Sequence, residues 1–76
     1  MRVNYDRNTD SLTLILQERP VRETDKIGPG VVADFAADGT LIALKVERAS
    51  LRVDAPGLVE FVDHGLAAAP TYSAAA

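Results

Sequence analysis

The chain has 76 residues, a formal net charge of −3 and no cysteine, so it has room for one domain and nothing to staple it with a disulfide or a thiolate metal site. A domain this small buries only about 60% of its unfolded surface when it folds alone. The absence of a basic run argues against nucleic acid as a direct ligand, no apolar run reaches the ~18–20 residues of a membrane span, and no basic-then-apolar leader opens the chain, so a soluble cytoplasmic protein without a cofactor is expected.

The first element is a hairpin. Val3 and Tyr5 share one face of an extended segment, and Leu12, Leu14 and Leu16 then alternate with Thr13, Ile15 and Gln17. Period two over six residues is the mark of a half-buried strand. Between the two runs lies the turn-forming stretch DRNTD, whose Asp and Asn side chains bond nearby backbone and tolerate left-handed conformations. Asp6 and Asp10 bracket this loop and are read as turn residues. A catalytic pair of carboxylates needs a cleft and a raised pKa on one member, which a hairpin tip does not supply. A calcium loop needs more oxygen ligands, a Gly and a distal Glu.

The stretch QERPVRETDKIGPG is polar. Pro20 cannot donate to a ladder and belongs in a loop or at an edge. Val21, Glu23, Asp25 and Ile27 fall on one face of an extended segment, with Arg22, Thr24 and Lys26 on the other, which predicts an exposed edge strand or a strand-like excursion. The GPG at 28–30 breaks it. That GPG precedes a strand and lacks the Lys-Ser/Thr of a phosphate loop.

The second hairpin is the clearest feature. VVADFA and TLIALKVE flank ADG, with Asp38-Gly39 supplying the positive φ that a tight turn needs. Ile42, Leu44 and Val46 form the core face of the second arm. Asp34 stands mid-strand, where Asp is disfavoured; either it sits on an exposed face or it meets a backbone donor or a partner's arginine.

After Glu47 strict alternation stops. RASLRV fits a short helical turn or an exit loop. Asp54 and Pro56 together signal a helix start, and Leu58, Val62 and Leu66 fall at i, i+4 and i+8, so residues 54–69 are expected to form an amphipathic helix. Its stripe of Leu58, Phe61, Val62 and Leu66 would cover Leu12, Leu14, Ile42, Leu44 and Val46. The lone His64 reads as a residue near that helix's C-terminus, where a cation is favoured; one His and scattered carboxylates supply a zinc site poorly. Residues 70–76 read as a flexible tail.

Taken in order, these residues resemble a family of short bacterial and archaeal proteins catalogued as domain of unknown function 2283. The shared pattern is Tyr5-Asp6, Asp10 with Leu12, Glu23-Thr24, Asp34 with Asp38-Gly39, and Ala49-Ser50, spanning about Arg2 to Val53. Two positions depart from it: Ala36 and Lys45 stand where the family often carries acidic residues. If the family's acids form a cluster, this chain has lost part of it. The resemblance implies no established activity and an association with antitoxin-like small proteins.

The expected fold is α+β, an antiparallel meander of four or five strands over residues 1–53 with one C-terminal helix on one face. The expected function is a non-catalytic protein-interaction module, with Asp34, Val21, Glu23, Asp25 and Ile27 as candidate partner-binding residues and a toxin as one conceivable partner. The rival is a small metal-dependent or hydrolytic enzyme using Asp6, Asp10, Asp34 and Glu47. One helix covers one face only, and Ile15, Val32, Leu41 and Ala43 leave the other imperfectly polar, so a two-fold homodimer is expected, sheet to sheet or edge to edge, with helix exchange as one form.

Overall fold

Alternating side chains do form strands within the first 47 residues. In a computed structural model, which describes residues 1–65 and 71–75, five strands pair antiparallel: β1 (Arg2–Asp6), β2 (Ser11–Ile15), β3 (Glu23–Gly28), β4 (Val31–Phe35) and β5 (Leu41–Glu47). Their order across the sheet is β1-β2-β5-β4-β3. A β1–β2 hairpin and a β3–β4–β5 meander are thus joined along a β2–β5 seam, and β1 and β3 are the edges. A short helix, α1 (Ala49–Arg52), follows and packs against the end of the sheet, with Ala49 fully buried. The fold is α+β, as expected.

Each turn has a local cause. Gly28 pairs with Val31 across Pro29-Gly30, and Gly30 has φ 70. Proline followed by a positive-φ glycine suits a type II turn. In the next turn Ala36 N–H donates to the Thr40 carbonyl and Gly39 N–H to the Ala36 carbonyl, with Gly39 at φ 86. That is a three-residue loop closed by a left-handed glycine.

Register fixes the two faces. One row of Cα partners runs Val3, Leu14, Leu44, Ala33; a second runs Tyr5, Leu12, Val46, Val31. Both rows lie on the same face, since side chains alternate with period two, and both are apolar from β1 to β4, with Asp25 ending the first on the edge strand β3. The opposite face is mixed, with Thr13, Lys45 and Val32 in one row and Ile15, Ala43 and Asp34 in another. A small buried cluster of Ala36, Ile42 and Ala43, with Ile15 against it, lies towards the Asp38-Gly39 end of the sheet.

The expected helix over 54–69 is not formed. Leu58–Val62 is a strand, β6, paired antiparallel with β7 (Thr71–Ala75) in a separate two-stranded sheet. The physical reason lies in Pro56-Gly57. Ala55 has φ 43, and Leu58 N–H donates to the Ala55 carbonyl at 2.9 Å, so the pair makes a turn instead of opening a helix. The LVEFV run that follows is β-branched and aromatic, which favours extended backbone. Leu58, Phe61 and Val62 therefore do not form a helical stripe, and Leu66 lies outside the described residues. His64 stands exposed just after β6, not at a helix end. The 70–76 segment, expected as a tail, contributes β7 over Thr71–Ala75.

Candidate functional site

The densest set of polar contacts gathers at Asp10. Its backbone is left-handed, with φ 54, a conformation Asp tolerates. Its carboxylate accepts a hydrogen bond from Tyr5 Oη at 2.7 Å, from Ser50 N–H at 3.0 Å and from Ser50 Oγ at 2.6 Å. Its carbonyl accepts from Ala49 N–H at 2.8 Å. One residue thus ties the first hairpin tip to the start of α1, far along the chain. The Ser50 and Tyr5 hydroxyls hold the Asp10 carboxyl below its ordinary value, and the bond to Asp10 raises the Tyr5 phenol. The Arg7 guanidinium lies 5.5 Å from the Tyr5 ring centroid.

Asp6 and Asp38 do the local work expected of turn residues. Asp6 Oδ1 accepts from Asn8 N–H at 2.9 Å and more weakly from Thr9 N–H at 3.4 Å. Asp38 accepts from Thr40 N–H at 3.0 Å and pairs with Arg19 at 3.1 Å. The Thr40 hydroxyl and N–H, with Arg19, hold the Asp38 carboxyl down to about 2. The sequence predicts a local turn role for Asp10 too; its left-handed backbone does lie in the hairpin turn, and its carboxylate in addition reaches a distant helix. Ser50, its main partner, is visible in the sequence only as part of the Ala-Ser pair in the family pattern. A left-handed Asp beside a tyrosine gives no hint of a partner forty residues on.

The remaining acidic candidates lie elsewhere. Asp34 Oδ1 accepts from the Thr24 hydroxyl at 2.7 Å, and the two are direct cross-strand partners. A mid-strand Asp is thus answered by its neighbour on the edge strand. Glu47 ends β5, where its N–H donates to the Gly30 carbonyl and its carbonyl accepts from Arg52 Nε. Among the described residues no three His, Asp or Glu side chains gather where they could hold a metal ion. None of the described polar or charged side chains is buried. A depression of about 260 Å³ between Met1, Arg2 and residues 15–18 is crossed at the surface by the exposed Arg2–Glu18 pair.

The edge candidates are where the alternation predicts. Glu23 and Asp25 lie on β3, an edge strand, and Arg22 N–H extends its ladder to the Phe35 carbonyl. Val21 and Ile27 are exposed, and the register breaks between Lys26 and Gly28, leaving Ile27 out of the ladder. A bulge and alternating charges are the usual protection of an open edge.

Among the described residues the larger apolar surface lacks the helical cover that the sequence predicts for it. In the two apolar rows only Ala33 is buried; Tyr5, Leu12, Leu14, Leu44, Val46 and Val31 are half-buried and Val3 is exposed. No large side chain is fully buried among the described residues. The sheet's apolar face is therefore without a second layer from α1, which is four residues long.

The family model described as "Protein of unknown function (DUF2283)" matches residues 2–50, which takes in all five strands and the start of α1, and the chain belongs to that family. No curated protein matches the chain. No solved structure matches it either.

Proposed function

From membership of a family defined over the five-stranded sheet, we propose that this chain is a non-catalytic protein-interaction module whose working surface is the sheet's apolar face, occupied by a second copy. The observation that carries this reading is the incomplete burial of the two apolar rows, in which only Ala33 is buried and Val3 is exposed. Contiguous apolar patches of this kind mark interaction surfaces, and a small domain needs the added burial. Of the four acids the rival enzyme would use, Asp6 is engaged in a turn, Asp34 in a cross-strand pair and Asp10 in the tie to α1, and Glu47 lies apart at the end of β5. A further protein partner, of the toxin kind or another, would have the β3 edge with Val21, Glu23, Asp25 and Ile27, which a face-bound dimer leaves open.

Sedimentation equilibrium at micromolar concentration tests the reading. The expected mass is twice the 8.1 kDa of one chain. Leu14→Asp, which puts a charge in the middle of the face, should return it to one chain's mass. A wild-type mass of 8.1 kDa that holds on concentration overturns the reading.

A further inference from the structure

Two deficits in this molecule match each other. The first is the incompletely buried apolar face. The second is the β6–β7 hairpin, which among the described residues pairs with no strand of the larger sheet. A lone two-stranded hairpin is marginal in water. This one also carries apolar side chains on both faces: Val59 and Phe61 point one way and Leu58 and Val62 the other, and they are 36–53% exposed. Glu60 interrupts the Leu58–Val62 face, whereas the Val59–Phe61 face has no charge within β6.

Whole-molecule quantities point the same way. The chain exposes 5634 Å², whereas a compact monomer of 8.1 kDa exposes about 4,500 Å². The excess, about 1,100 Å², is comparable with the ~800 Å² that each partner buries in a standard stable interface. The radius of gyration is 14.0 Å, against about 11.4 Å for a compact chain of this length. The surplus surface and the extended outline are those of a protomer that carries an arm.

We propose that β6–β7 is an exchange arm whose Val59–Phe61 face seats on the apolar rows around Leu44 in a second copy, each protomer covering the other about a two-fold axis. This rests on the reading that the face binds a second copy, and it names the part of that copy that does so. Exchange of one element between identical chains closes a two-fold dimer without a new surface having to be built. The arm's root lies on the correct side for it. Gly57, at the start of the arm, is packed against the Arg7 guanidinium, and Arg7 stacks over Tyr5, a residue of the apolar face.

The chain has no cysteine, so single-cysteine variants report single positions. Leu44→Cys and Phe61→Cys are prepared separately in the full chain, mixed through a dissociation step, and treated with a short bis-maleimide; unchanged far-UV dichroism confirms that each is folded. The expected result is a cross-linked heterodimer carrying one of each cysteine, with little product from Leu44→Cys alone. Strong cross-linking of Leu44→Cys to itself, without the mixed product, means that the faces meet directly: the arm is overturned while the interaction module stands. A dimer by sedimentation that yields neither product also overturns the arm. A wild-type chain that stays at 8.1 kDa removes both.

Discussion

At the level of single residues, the chain's most connected side chain is Asp10, and its contacts set its chemistry. Three hydrogen bonds converge on one half-buried carboxylate, two of them from Ser50. Asp10→Ala should therefore lower the melting temperature by about 5 °C or more for a domain of this size. Ser50→Ala should lower it less, and the double variant should fall short of the sum, because the two share one interaction. Additive losses in thermal melts would show that the tie between hairpin and helix is not a unit. Asp38 gives a pH signature. Its folded pKa is depressed to about 2 from the ordinary 3.8, so over that window the unfolded chain binds more protons and stability rises with pH. The contribution is complete above the unfolded value and is lost as pH falls through about 2. Asp38→Asn should flatten this acid limb, so that its melting temperature drops less than the wild type's between about pH 5 and about pH 2.5. The turn roles of Asp6 and Asp38 are legible in the sequence because such roles are local. The role of Asp10 is not, because a bond to a residue forty positions on leaves no trace in nearby spacing.

At the level of elements, turn chemistry decides how much of the chain can be read from its residues. The Asp38-Gly39 hairpin is legible since a positive-φ glycine between alternating runs fits little besides a tight turn. Nothing lies within 4 Å of a Cβ placed on Gly39, so the cost of substitution there is conformational. Gly39→Val should cost about 1 kcal/mol or more, and Gly39→Asn distinctly less, as Asn tolerates left-handed backbone; urea midpoints decide it. At Gly30 a Cβ would come within 2.8 Å of the Arg52 guanidinium, so Gly30→Ala must also move that flexible side chain from its bond to the Glu47 carbonyl. Pro56-Gly57 carries the same turn signal as Pro29-Gly30. Leu58 and Val62 at helical spacing mask it, a spacing that the short β-branched run LVEFV meets by chance. Far-UV dichroism should accordingly show a strand-dominated spectrum without the double minimum of an amphipathic helix.

At the level of the whole molecule, surface is the quantity to watch. A second copy that covers the apolar face couples folding to association, so the melting temperature should rise with protein concentration. Each tenfold increase favours the dimer by about 1.4 kcal/mol. Calorimetry at two concentrations about a hundredfold apart makes the shift plain, and a fixed melting temperature would place the whole of the stability within one chain. A shortage of burial is foreseeable from 76 residues without cysteine; which face is short is not, because that depends on the last third of the chain extending instead of coiling.

The strand order also sets a sequence of events in time. β1–β2 and β3–β4–β5 are each built from neighbouring segments and can form within microseconds. The β2–β5 seam is different: Ile15 meets Ala43 only after the whole intervening chain has been gathered, and loop-closure entropy must be met before that pairing gives anything back. The seam should therefore be the kinetic bottleneck. Ile15→Val, at the seam, would slow refolding, whereas loss of the Asp10–Ser50 tie, made once the seam has closed, would chiefly quicken unfolding. Asp10 then works as a bolt that is thrown last, holding shut a door whose hinges are the two turns.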